Sequence, residues 1–152
     1  MNMKLETLPP YRIVFARQVG PYGDGNRKTM EKIKNWAKEK QSLTSAVFLG
    51  IAQDNPETTK PEQCRYDACL VIPNDYKLTR EEGIHEAILP GGLYLVFQVQ
   101  HTKEALQKAW TEIFPAVYQN GYEVDSKPVM ERFTGESGKD DICELCVPVK
   151  IE

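Results

Sequence analysis

The chain has 152 residues, 41% of them hydrophobic, with 19 Lys and Arg against 22 Asp and Glu for a formal net charge of -3. That length supplies one substantial core and is short for two independent domains, so residues 1–152 are read as a single domain. The acidic balance disfavours DNA and anionic lipid as direct ligands. No apolar run approaches the ~20 residues that span a bilayer, and the opening MNMKLETLPP lacks the basic start and apolar core of a secretion signal, which reads as cytoplasmic.

Tyr11 to Val19 (YRIVFARQV) has strand character, with Ile13, Phe15 and Arg17 on one face and Val14 and Ala16 on the other. The turn cluster Gly20-Pro21-Tyr22-Gly23-Asp24-Gly25 ends it. From Asn26 to about Lys40, Met30, Ile33, Trp36 and Ala37 recur at helical spacing among lysines and glutamates, so an amphipathic helix follows. Ala46 to Ala52 and Cys64 to Ile72 are the next strands, joined by a polar loop around Asp54 to Glu62.

A polar connector after Pro73 leads to a short strand, Ile84 to Leu89, and the break Pro90-Gly91-Gly92. Leu93 to Gln100 (LYLVFQVQ) then repeats the character of Tyr11 to Gln18, with Val, Phe and Gln in register after a shift of 82 positions. A helix from Lys103 to about Gln119 carries Leu106, Trp110, Ile113, Phe114 and Val117 on one side; Pro115 predicts a kink or an early end. Pro128 to Thr134 and Ile142 to Val149 complete the strands. A shift of 77 lays Cys64 to Ile72 over the last strand, matching Cys69 with Cys146 and Asp67 with Glu144. Two halves, about 1–73 and 84–152, thus share the order strand, helix, strand, strand, which predicts a duplicated α+β fold with a mainly antiparallel sheet and two helices.

Cys64, Cys69, Cys143 and Cys146 lie three or five apart in strand segments, so each pair points to opposite faces. They read as small buried hydrophobes rather than paired zinc ligands. His85 and His101 lack a helical i, i+4 partner, and neither a metal nor a cofactor is expected. There is no Ser-centred nucleophile elbow and no phosphate-cradling glycine loop. Glu144 draws attention because it sits mid-strand among Ile142, Cys143, Leu145, Cys146 and Val147. An unpaired carboxylate buried there would cost several kcal/mol. Either it has a partner, for which Arg12, Arg65 and Arg132 are available, or it faces a cavity suited to a cationic ligand; Asp67 poses the same question. Tyr66, Tyr94, Tyr22 and Tyr118 are the pocket-wall candidates, because a phenol combines apolar area with a hydrogen bond. If chemistry occurs, a carboxylate acting as general base on water is the plausible arrangement.

Val19-Gly20-Pro21-Tyr22, Asp54-Asn55-Pro56, Arg65-Tyr66-Asp67 leading into Val71-Ile72-Pro73, Gly91-Gly92-Leu93-Tyr94 and the terminal Glu144 strand, in that order over nearly the whole chain, resemble the GyrI-like small-molecule-binding domain, the AraC effector-binding type. The resemblance implies two β-α-β-β units around a central groove that takes amphipathic, often cationic compounds against aromatics and a buried Glu. It casts Glu144 as the pocket carboxylate and Tyr94 and Trp110 as aromatic wall positions, with Phe114 beside Trp110. The function expected is capture of an amphipathic small molecule. The alternatives are hydrolysis of strained-ring, cyclopropane-containing toxins with Glu144 as base, or inhibition of DNA gyrase by protein contact. No helix-turn-helix segment precedes the first strand, so direct DNA binding is not expected; gyrase or a regulator is the protein partner the family would suggest.

Overall fold

Two stretches with apolar residues every three or four positions become helices, and the runs rich in β-branched and aromatic residues around them become strands. The computed structural model describes residues 2–40, 47–134 and 142–151. Its elements are β1 (Asn2–Leu8), β2 (Tyr11–Val19), α1 (Asp24–Glu39), β3 (Val47–Ala52), β4 (Arg65–Val71), β5 (His85–Leu89), β6 (Gly92–Gln100), α2 (Lys103–Gln119), β7 (Tyr122–Val124), β8 (Met130–Thr134) and β9 (Ile142–Ile151). The fold is α+β, and no described helix is long and apolar enough to cross a membrane.

The sheet runs β1-β6-β9-β8-β3-β4-β2-β5, every neighbouring pair antiparallel, with β7 added along the end of β9. The order carries the duplication. β2, β4 and β3 of the first half mirror β6, β9 and β8 of the second, with β3 and β8 paired at the centre. The outer strands are exchanged: β1 runs into β2 but pairs with β6, while β5 runs into β6 but pairs with β2. The two connections therefore have to pass one another closely. A Cβ at Gly91 would stand 2.4 Å from the Leu8 carbonyl oxygen and 2.8 Å from backbone atoms of Pro9 and Pro10, so only glycine fits there without displacing backbone.

Both helices cover the same face. Met30, Ile33, Trp36 and Ala37 of α1 pack on Val14, Ala16, Ala68 and Leu70, and Ala109, Ile113 and Val117 of α2 pack on Leu95, Phe97, Leu145 and Val147. The other face buries itself without a helix. Leu8, Ile13, Leu49, Ile51, Cys69, Tyr94, Val96, Met130 and Cys146 form one cluster drawn from both ends of the strand order, which requires the sheet to curl around it. This inner face is filled by the protein's own side chains.

Three expectations need correction. β1 and β7, too polar or too short to show as strands, are paired edge strands. Of the kink or early end expected at Pro115, the early end does not occur: α2 runs to Gln119, because Pro115 and Thr111, whose carbonyl loses its usual donor, are both exposed and water can serve instead. The 82-residue match between β2 and β6 is out of phase: Val14 packs under α1 whereas Val96 belongs to the inner-face cluster. The ladders set Arg17 opposite Asp67 and Gln98 opposite Glu144, an offset of 81 that preserves the faces.

Gly91→Ala should lower unfolding free energy by about 1–3 kcal/mol, the usual cost of forcing a methyl into a filled space. A urea titration with a lower midpoint and an unchanged slope would register it.

Candidate functional site

The two carboxylates singled out by their apolar flanks are both ion-paired. Asp67, 3% exposed, receives a two-pronged contact from Arg17 (Nε to Oδ1 2.7 Å, Nη2 to Oδ2 2.8 Å) and a third bond from Gln53 (3.0 Å). Glu144 lies opposite Arg132 in the β8–β9 ladder and accepts its Nε at 2.9 Å. The same guanidinium reaches Glu6 of β1 at 2.9 Å and the Tyr11 hydroxyl of β2 at 3.4 Å. Burial disfavours the Arg132 charge, but the hydrogen bonds to Glu144 and Glu6 hold its pKa above the usual arginine range. Burial likewise pushes Glu6 up, and the Arg132 hydrogen bond and charge outweigh it, leaving Glu6 below the ordinary glutamate value. Of the cations considered for Glu144 from sequence, Arg132 is its partner; Asp67 takes Arg17, whose place opposite it only the ladder reveals.

The aromatic candidates do not gather around Glu144. Tyr94 shares its face, 1% exposed within the inner cluster, with its phenol pKa raised by burial. Tyr66 packs on the helix-covered face. Tyr22 ties loops together, its hydroxyl bonding to the carbonyls of Arg65 (2.8 Å) and Asp54 (3.1 Å). Trp110 and Phe114 stack on each other along α2, with ring centroids 6.4 Å apart, and Trp110 is 39% exposed. Tyr118 is exposed.

A different carboxylate occupies the centre of the helix-covered face. α1 rests on β2 and β4 and α2 on β6 and β7, so β3 and β8 floor the cleft between them. Alternation along β8 points Glu131 and Phe133 into this cleft and Met130 and Arg132 to the inner face. Phe133 touches the packing of both helices and stacks on Phe48 of β3 at 5.8 Å. Gly50, opposite Glu131, leaves room for the Tyr66 ring; a Cβ there would come within 2.6 Å of the phenol oxygen. Burial, reinforced by the Glu131 charge, pushes the Tyr66 pKa up, so its phenol stays neutral.

His101 closes one side. Thr102 caps α2 by accepting the Ala105 N–H at 3.2 Å, which fixes the turn holding His101. Its Nε2 lies 3.0 Å from a Glu131 oxygen and its ring 5.2 Å from that of Phe133. From α1, the Lys34 ammonium stands 5.0 Å above the Phe133 ring. The cleft thus offers a half-buried carboxylate, stacked aromatic planes already facing a cation, a neutral phenol and an imidazole. That set can bind a cation or pass a proton. It also contains, among the described residues, the one group of His, Cys and carboxylate donors close enough for a metal ion: His101, Glu131 and Cys143.

Glu131 was missed because its neighbours Met130, Arg132 and Phe133 give no sign of which face it occupies. The available signal was the alternation Val129, Glu131, Phe133, which sets a carboxylate between two apolar side chains on one face.

Comparison with known proteins agrees with this architecture. The GyrI-like small molecule binding domain family matches residues 1–150. A prophage-derived protein of Bacillus subtilis (strain 168), YosT, which carries a transcriptional-regulator name, is 37% identical over 99% of this chain and 100% of its own length. DNA gyrase inhibitor 2 of Dickeya dadantii (strain 3937) is 30% identical, over 80% of this chain and 78% of its own. The structure of SAV2435 bound to tetraphenylphosphonium superposes with a TM-score of 0.61 at 17% identity, covering 99% of this chain and 94% of that one.

Arg132→Ala leaves Glu144 and Glu6 without their cation and should cost about 2–3 kcal/mol at neutral pH, less than the ~3–5 kcal/mol for breaking a fully buried pair because both carboxylates are partly exposed. Because the folded-state pKa of Glu6 is depressed, its contribution is full above the unfolded pKa and is lost as pH falls through the folded one. Denaturant unfolding of both proteins across the acidic range should therefore show the gap closing as pH drops.

Proposed function

This chain belongs to the GyrI-like small-molecule-binding family, and we propose that it captures an amphipathic organic cation in the interhelical cleft, with Glu131 as the countercharge. The observation that carries this reading is the juxtaposition of Glu131 with the Phe48–Phe133 stack, over which the protein already holds the Lys34 ammonium. An aromatic face attracts a cation through its quadrupole, and more strongly when the cation is desolvated. An incoming ligand would take over the place of Lys34, whose long side chain can swing to water. Tyr66, neutral and held over Gly50, supplies apolar area and a hydrogen bond. The tetraphenylphosphonium carried by SAV2435, on the same fold, supports a lipophilic cation as the ligand class.

Glu144 is the weaker choice for the countercharge, since Arg132 already neutralises it and the face it occupies is packed with side chains. Tyr94 belongs with that packing, and Trp110, Phe114 and Tyr118 lie along α2. A hydrolytic role is favoured by one feature, the Glu131–His101 contact, which could draw a proton from water beside the neutral Tyr66 phenol. Mass spectrometry of a cyclopropane-containing electrophile incubated with the protein would detect such turnover, and unchanged compound after prolonged binding would eliminate it. The gyrase-inhibitor names of relatives suggest a protein partner, which a pull-down with gyrase subunits would test.

Calorimetric titration with tetraphenylphosphonium and with neutral triphenylphosphine oxide decides the main reading. Glu131→Gln should weaken the cation by about tenfold, equivalent to ~1.4 kcal/mol, and the neutral compound far less, while Glu144→Gln should not discriminate between them. Equal losses for cation and neutral compound in Glu131→Gln would refute the electrostatic role.

A further inference from the structure

His101, Glu131 and Cys143 are brought together by three separate pieces of chain. Glu131 lies on β8 opposite Leu145 of β9, and Cys143 lies two residues away on β9, on the same helix-covered side. Cys143 is also opposite Val99, so the end of β6 delivers His101, two residues on, to the same corner. The imidazole nitrogen, carboxylate oxygen and thiol sulfur all lie within 4.8 Å of one another. We propose that these three residues form a site for a single borderline-soft divalent metal ion, zinc foremost, with its remaining coordination position open to the interhelical cleft.

The donor chemistry selects the metal. Imidazole, carboxylate and thiolate together suit zinc and cobalt rather than magnesium or calcium, which prefer oxygen alone. Thiolate and carboxylate also balance the charge of a divalent ion. Bond lengths of ~2.0–2.2 Å to nitrogen and oxygen and ~2.3 Å to sulfur place donors of a tetrahedral site about 3.3–3.6 Å apart. The His101–Glu131 separation of 3.0 Å and the 4.8 Å bound on the whole set therefore ask for movements of roughly an ångström. Small side-chain rotations of His101 and Glu131 suffice, around a sulfur fixed in the core. Depth also runs in a useful order: Cys143 is buried, Glu131 half-buried and His101 exposed, so an ion can enter past the imidazole and meet the thiol last. The Cys143 proton leaves to solvent as the sulfur–metal bond forms. Phe133, against the His101 ring, restricts its rotation. The other cysteines are not alternatives, since Cys64 lies beside the Thr59 carbonyl and Cys69 and Cys146 belong to the inner-face cluster.

The proposal shares Glu131 with the cation-binding reading but does not rest on it, because Cys143 and His101 supply the metal's distinguishing donors. The test uses chelator-treated, reduced protein titrated with Co2+ and Zn2+ in the absence of organic ligand. One equivalent of Co2+ should bring up a thiolate-to-cobalt charge-transfer band in the near ultraviolet together with the visible bands of a four-coordinate ion. Cys143→Ser should abolish the charge-transfer band. His101→Gln, at an exposed position where folding is not at issue, should weaken Zn2+ by at least about tenfold. Absence of the band, its persistence in Cys143→Ser, or equal zinc affinity in His101→Gln would each overturn the site. A protein that shows the cobalt band yet ignores tetraphenylphosphonium would retain the metal site and lose the organic-cation reading, so the two fail separately.

Discussion

The exchange of outer strands between the two halves, and the close crossing of Pro9–Pro10 with Pro90–Gly91 that it requires, organises everything else in this molecule. By pairing β1 with β6 and β5 with β2, each half lends an edge strand to the other, so neither half can close its sheet alone. The crossing draws the ends of the strand order toward the same side, and the sheet curls until its helix-free face buries itself. Burying one face in this way leaves both helices to the other face, over the lateral strands, with β3 and β8 floored between them.

Strand alternation then gives two glutamates near one another in the sheet opposite environments. Glu144 points to the inner face, where Arg132 joins it to Glu6 and Tyr11 and so bonds β8, β9, β1 and β2 into one polar network. Such a network is a structural fastening: its carboxylates cannot lose their cation without exposing buried charge to a poor solvent. Glu131, on the adjacent strand, points to the cleft, where it meets an imidazole and the surroundings are aromatic. An imidazole can give up its place or its proton in a way that an arginine cannot. The difference between a carboxylate fastened by arginine and one left to the cleft is here a matter of which face of the sheet each side chain occupies.

Element type was readable from local pattern because it is a local property. Apolar spacing placed α1 and α2 and the principal strands, and the repeated strand-helix-strand-strand order implied the duplication before any contact was known. β1 and β7 escaped because an edge strand is held by hydrogen bonds along one side and needs little apolar alternation, and the strand match at offset 82 misled because a slip of one residue reverses every face.

What the sequence by itself determined, then, was a two-fold α+β domain of the GyrI-like kind and a short list of carboxylates and aromatics in apolar surroundings. Only tertiary structure decided which of them meet. Apolar neighbours in sequence made Glu144 conspicuous, but whether a strand carboxylate is neutralised depends on the residue across the ladder, and Arg132 stands there. Glu131 gained its cleft, and His101 and Cys143 their proximity to it, from the pairing of β6, β9 and β8, strands whose register no local pattern specifies. Register is a cooperative outcome of the whole sheet, set by the packing of both faces at once, and the site is built on register.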